Sequence, residues 1–228
     1  MLADPQSKVL QAVLFDMDGL LVDSEPEWFE VEAAVFERLG ATRAWTAADA
    51  HALVGTALVV SAARIAREAG SSVPPAVITD WLVDAMAQRF SRGVPWKPGA
   101  VQLMAELATD GVGVGVVSSS YRRLVDTVLA QLPAGIVGTS VAGDEVTRGK
   151  PHPEPYLHAL DRLGLPPDGV VVLEDSPTGA AAGAAAGCTV VVVPDLAPLP
   201  ATHSWRVADS LAALSPAGLA SLLGRDRR

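Results

Sequence analysis

Cysteine is nearly missing from this sequence. Cys188 is the single one, so no intramolecular disulfide can form, and its apolar surroundings, Ala184 to Val193, suit a buried small hydrophobe. Cationic excess is missing too. The formal net charge of −9 argues against nucleic acid as a partner, because phosphate backbones reward clustered Lys and Arg. A small anionic substrate needs only a few local cations and stays open. No run reaches the ~18 apolar residues of a membrane span, and Met1 to Leu10, with Asp4, Gln6 and Lys8, lacks the apolar core of a signal peptide. A cytoplasmic protein with no membrane partner is the expectation. There is no low-complexity tract or short repeat. No His or Cys residues stand at metal-ligand spacing, so zinc is not expected.

What is present is apolar material. Half of the 228 residues are hydrophobic, enough for one core or one core plus a small insert. Short apolar runs at Val9–Phe15, Val112–Val117, Ile136–Val141, Val170–Leu173 and Thr189–Val193 read as buried strands. Helical stretches lie between them at Ala100–Ala108, Arg122–Gln131, Pro153–Leu163 and Thr178–Ala186, with Pro153 suited to a first turn and Gly164 and Gly187 to helix ends. This alternation predicts an α/β fold: a Rossmann-like, doubly wound parallel sheet covered on both faces.

One region breaks the alternation. From Pro26 to Gly93 the chain offers helices only, at Glu27–Leu39, Ala57–Ala69 and Ala76–Phe90. The expectation is a discontinuous core, residues 1–24 and 95–228, with residues 25–94 inserted as a small helical cap domain. The tail, Leu211–Leu223, reads as a closing helix.

In open α/β sheets ligands bind beyond the carboxyl ends of the strands. Asp16 and Asp18 follow the first run, Ser118, Ser119 and Ser120 the second, Lys150 the third, and Glu174, Asp175 and Ser176 the fourth. Alone, each has a plainer reading: capping acids, an N-cap serine (Ser119 or Ser120), a solvated lysine, an acidic helix start. Their joint placement at successive strand ends favours a site. Asp16 and Asp18 stand two apart on a nearly extended segment, so both can face one crevice, where they would repel without a cation. A hard cation such as Mg²⁺ meets that need with carboxylates, waters and a substrate phosphate. Lys150 and the Ser118 hydroxyl remain as donors for phosphoryl oxygens. The run Gly111, Gly113, Gly115 has the wrong spacing and position for a dinucleotide site.

With Asp16-Met17-Asp18-Gly19, Ser118, Gly149-Lys150-Pro151 and Glu174-Asp175-Ser176, the chain resembles the haloacid dehalogenase superfamily over nearly its whole length. It is most similar to the beta-phosphoglucomutase-like branch, and Val22-Asp23-Ser24-Glu25-Pro26 to its hexitol and sugar-phosphate phosphatases. The resemblance implies a Mg²⁺-dependent phosphatase acting on small phosphorylated metabolites through an aspartyl-phosphate. It implies Asp16 as nucleophile and Asp18 as acid and base, with Ser118 and Lys150 on the phosphoryl group; Ser119 beside them is a further substrate-binding candidate. It also implies Mg²⁺ held by Asp16, Asp18 (through its carbonyl), Asp175 and Glu174, the last directly or in the outer shell. Mutases of this branch carry a histidine where this chain has Trp28 and a cationic residue in the cap loop where it has Gly55-Thr56-Ala57-Leu58. Both departures favour hydrolysis over the alternative, a phosphosugar mutase. A receiver-type signalling domain lacks the Asp-x-Asp and the cap, and a dehalogenase has less use for Asp18 and Lys150. Trp28 and Glu25, with Arg89, Arg92 and Lys97, are candidates for shaping the substrate pocket. A monomer or weak homo-oligomer is expected.

Overall fold

The computed structural model describes residues 9–53, 56–195 and 199–223. Six strands form one parallel sheet in the order β3-β2-β1-β4-β5-β6: β1 Ala12–Phe15, β2 Gly113–Val117, β3 Thr139–Val141, β4 Val170–Glu174, β5 Thr189–Val192 and β6 Arg206–Val207. The first five fall inside the expected apolar runs or one residue past them. β6, only two residues long, gave no run to read. The alternating side chains of β1 explain its full burial. Val13 and Phe15 pack into one apolar cluster and Ala12 and Leu14 into the other, so the sheet has a core on each face. The order reverses beside β1, the point at which such sheets bind ligands.

Between β1 and the rest of the sheet lie four helices: α1 Glu25–Arg38, α2 Ala47–His51, α3 Leu58–Glu68 and α4 Pro75–Arg92. The short α2 was not expected; it is fixed locally by a capping box in which Thr46 and Asp49 satisfy each other's backbone N–H groups. The chain leaves and re-enters the sheet side by side, with Asp23 N donating to Pro95 O at 2.8 Å and Lys97 N to Leu21 O at 2.8 Å. Helices α5 Ala100–Thr109, α6 Arg122–Leu129, α7 Glu154–Leu163 and α8 Pro177–Ala185 link the strands. The tail differs from expectation. Instead of one helix it makes a 3-10 turn at Leu211–Ala213 and a short α9, Pro216–Ala220. Pro216 forces Ser215 into an extended conformation, and Ser215 then caps α9. No described helix is long and apolar enough to cross a membrane.

Candidate active site

The carboxyl ends of β1, β2 and β4 meet at one point. The register sets Phe15 beside Val116 and Leu173, and Asp16 N donates to Leu173 O at 3.0 Å, which fixes Asp16 just past the sheet. Lys150 enters from the loop before α7. Its Nζ donates to Asp16 Oδ1 at 2.5 Å, Glu174 Oε1 at 2.6 Å and Val117 O at 2.9 Å, satisfying all three protons of a buried ammonium. Burial works against that charge, and the Asp16 and Glu174 carboxylates outweigh it, holding the ammonium well above the usual lysine range. Burial also pushes the Asp16 carboxyl up to about 7, with Lys150 opposing and Glu174 adding to the shift.

Glu174 is spoken for by the protein. Oε1 takes Lys150 and the Tyr156 hydroxyl, the latter at 2.5 Å, and Oε2 takes the Ser176 hydroxyl at 3.2 Å. Asp175 is held less well: burial together with Asp16 and Glu174 outweighs the Lys150 charge and its own backbone N–H and pushes its carboxyl up to about 9. Asp16, Glu174 and Asp175 each offer an oxygen, all within 4.8 Å of one another. An all-oxygen, over-acidic donor set that the protein leaves electrostatically unbalanced fits a hard divalent cation such as Mg²⁺. Its side-chain donors would be Asp16 and Asp175, with Glu174 beside them already committed to protein donors.

The Asp18 carboxylate stands outside this group of acids. Its Oδ2 accepts from the Ser120 hydroxyl at 2.8 Å and the Ser118 hydroxyl at 3.3 Å, while Oδ1 is buried with no partner among the described residues. An unpartnered buried carboxylate oxygen is costly, and a substrate oxygen would satisfy it. Gly19 makes the turn after Asp18 with φ +84, and a Cβ there would also overlap the Asp175 carboxylate. Ser120 is the residue that sequence reasoning missed, having the same rank as Ser119 as a possible cap. In the structure neither caps α6. Asp144 does so from a distant turn, accepting from Arg122 N at 2.7 Å, which releases Ser120 for Asp18. Ser118 is buried, and its hydroxyl accepts from Ser120 N at 2.9 Å.

Above this group lies a cavity of about 160 Å³, with Ser118 and Glu174 buried behind its wall and not on it. Asp16, Asp18, Ser119, Ser120, Lys150 and Asp175 line it from the sheet, and Glu25, Trp28, Phe29 and Glu32 from α1. Trp28 and Glu25 thus stand where the sequence suggested. Glu32 went unnoticed: nothing in sequence separates it from a solvated helix glutamate except its i+7 spacing from Glu25. The other pocket candidates are elsewhere. Arg89 pairs with Glu27 and Glu30 on the outer side of α1, Arg92 lines that same outer groove, and Lys97 ties Asp23 to Asp195. Of the cap loop, Gly55 lies outside the described residues, while Thr56 and Leu58 line the cavity.

A parallel sheet whose switch point gathers an aspartate pair, hydroxyls, a buried lysine and a second acid pair, roofed by inserted helices, defines a class of hydrolase. The sequence model of the haloacid dehalogenase-like hydrolases matches residues 10–187, and the chain belongs to that family. It is 34% identical over 223 residues to protein CbbY of Rhodobacter capsulatus, covering 91% of this chain and 97% of that one. Hexitol phosphatase A of Escherichia coli is 32% identical over 182 residues, covering 79% and 81%. The crystal structure of CbbY from Rhodobacter sphaeroides in complex with phosphate superposes with a TM-score of 0.81 at 28% identity, covering 92% of this chain and 99% of that chain. A mutant of that protein, similar to this chain at 27% identity and the same TM-score, was solved in complex with xylulose-1,5-bisphosphate.

Proposed function

We propose that this chain is a Mg²⁺-dependent phosphatase that hydrolyses sugar or polyol monophosphates through an aspartyl-phosphate on Asp16. The observation that carries the reading is the pairing of Asp16 with Lys150 at 2.5 Å, with an Asp18 oxygen that is buried and, among the described residues, unpartnered. Phosphoryl transfer rewards positioned charge above all. The relatives named for hexitol phosphates and for bound phosphate support the substrate class.

In this reading Asp16 attacks phosphorus, the ester P–O bond breaks, and Asp18 gives its proton to the departing alkoxide oxygen. A water then attacks the phosphorus of the aspartyl-phosphate. Asp18 takes one of its protons, the bond to Asp16 breaks, and inorganic phosphate leaves. Ser119 and Lys150 line the cavity, and they and Ser118 would hold phosphoryl oxygens, Lys150 by giving up its bond to Asp16 Oδ1 as that oxygen attacks and Ser118 by turning its hydroxyl from Asp18. Mg²⁺, held by Asp16, Asp175 and the Asp18 carbonyl with Glu174 beside them, would supply neutralisation of phosphoryl charge. Residues 25–94 act as the cap over residues 1–24 and 95–228. Trp28 faces the cavity where the mutase would need a base, and an indole only donates. The single cysteine and the lack of any long apolar run support a cytoplasmic location. The net charge of −9 gives no support to a nucleic-acid partner, and a monomer or weak homo-oligomer fits the site, which one chain completes.

A panel of phosphorylated metabolites, with released phosphate as readout, tests this. Phosphate release from polyol monophosphates is expected. With beta-glucose 1-phosphate and a trace of glucose 1,6-bisphosphate, phosphate should outrun glucose 6-phosphate; the reverse order establishes the mutase instead.

A further inference from the structure

We propose that Glu32, pinned by Trp45, is a specificity-determining residue that accepts the far end of an uncharged, polyhydroxylated leaving group, and that the cap half of the cavity rejects a leaving group carrying a second anion. The proposal rests on the phosphatase reading above and narrows its substrate.

The argument begins with the face of α1. Glu25, Trp28, Phe29 and Glu32 stand at i, i+3, i+4 and i+7, so they form one stripe, and all four line the cavity. Glu25 is at the catalytic end, close enough to Asp18 for that charge to help raise its own carboxyl, after burial. Glu32 is two helical turns away, about 10 Å along the axis. A short leaving group reaches Glu25, and only a longer one reaches Glu32. Between them Trp28 and Phe29 give an apolar wall, the surface that a sugar's C–H face prefers.

Glu32 is not a solvated helix acid. It is 6% exposed, and its Oε2 accepts from Trp45 Nε1 at 3.1 Å. Burial pushes its carboxyl up to about 7, with Trp45 opposing and Glu25 adding. Near neutrality the group is therefore partly protonated, able both to donate to and to accept from hydroxyls. Thr56 and Ser61, whose hydroxyls meet at 2.7 Å, line the same cavity.

A second phosphate would need a cation here, and among the described residues no cap cation lines the cavity. Among the described residues Lys150 is the one cation lining the cavity, and Asp16 and Glu174 already engage it. The cap arginines serve elsewhere. Arg43 binds Asp49 and Glu68, Arg89 binds Glu27 and Glu30, and Arg64 donates to Ala52 O with its Nε unpartnered among the described residues but stands outside the cavity wall. His51 acts on Glu25 but is exposed and outside the cavity wall. An anion placed against Glu25 and Glu32 meets two carboxyl groups whose remaining negative charge no lining cation offsets, which disfavours it.

The test compares sorbitol 6-phosphate, glycerol 3-phosphate and a hexitol 1,6-bisphosphate on wild type and on Glu32→Met, Glu32→Gln and Trp45→Phe. Wild type should show kcat/KM at least about a hundredfold higher for the hexitol monophosphate than for the bisphosphate. Glu32→Met should raise KM for sorbitol 6-phosphate about tenfold more than for glycerol 3-phosphate, the worth of one hydrogen bond, with kcat little moved. Glu32→Gln should recover most of that loss, and Trp45→Phe should show part of it. Equal effects on long and short substrates, or a bisphosphate turned over as well as the monophosphate, overturn the proposal while leaving the phosphatase in place. If Glu32→Met does not fold, the wild-type comparison alone decides. Failure to release phosphate from any ester overturns both readings.

Discussion

The Tyr156 hydroxyl, fully buried, donates at 2.5 Å to the same Glu174 oxygen that receives the Lys150 ammonium at 2.6 Å. Burial raises the Tyr156 phenol well above its usual range, with the charges of Glu174 and Asp16 adding, so it remains a donor at every working pH. It offsets part of the Glu174 charge that would otherwise draw Lys150 away from Asp16. Tyr156→Phe should keep the fold, lose about 1–3 kcal/mol in a urea titration, and lower kcat about tenfold. Wild-type turnover in a folded variant would remove Tyr156 from any role in poising the site.

Asp16→Asn retains shape and removes the attacking charge. Phosphate release should fall by several orders of magnitude, with an unchanged circular dichroism spectrum. Near-normal turnover in that folded variant would be incompatible with Asp16 as nucleophile.

The acid group calls for a cation, so dialysis against EDTA should abolish turnover and Mg²⁺ should restore it. Ca²⁺ should inhibit, because its looser, higher coordination spoils in-line geometry. Full activity after exhaustive chelation would contradict the assignment of Asp16 and Asp175 as metal donors.

Gly179 lies in the first turn of α8 with the Glu174 carboxylate where a Cβ would stand. Glu174 cannot step aside without breaking its bonds to Lys150, Tyr156 and Ser176. Alanine favours a helix over glycine by about 1 kcal/mol, yet overpacking costs about 1–3 kcal/mol. Gly179→Ala should therefore be net destabilising, with activity lost more steeply than stability. A stabilised, active variant would show that Glu174 has room to move.

The alternation that makes a parallel sheet, and the placement of Asp16, Asp18, Ser118, Lys150, Glu174 and Asp175 after its strands, were legible in the sequence. Each follows an apolar run, and a parallel sheet delivers every such end to the same edge. Ser120 was not legible. Its freedom to reach Asp18 depends on Asp144, which caps α6 from a loop 22 residues away. Glu32 was hidden for a similar reason. Its partner Trp45 lies 13 residues on, and helix spacing alone does not say which face of α1 turns inward. The two-residue β6 and the broken tail were below the length at which periodicity speaks.

Glu32 also makes stability depend on pH. Its carboxyl lies at about 7 in the folded protein against a usual 4.5, chiefly because burial disfavours the charge. Between those values the folded state holds a proton that the unfolded chain has released, so stability falls as pH rises. The contribution is fully present below 4.5 and is lost once pH has passed 7. Each pH unit of displacement is worth about 1.4 kcal/mol, so the loss is on the order of 3 kcal/mol. Glu32→Gln cannot ionise, and its amide oxygen can still accept from Trp45 Nε1. Urea titrations of both proteins at pH 5 and pH 8 isolate the effect, since other titrating groups are common to both. The variant should gain on wild type by about 2–3 kcal/mol between the two conditions. A difference that stays flat with pH would mean that Glu32 is already ionised in the folded protein, with Trp45 and neighbouring hydroxyls compensating its burial in full.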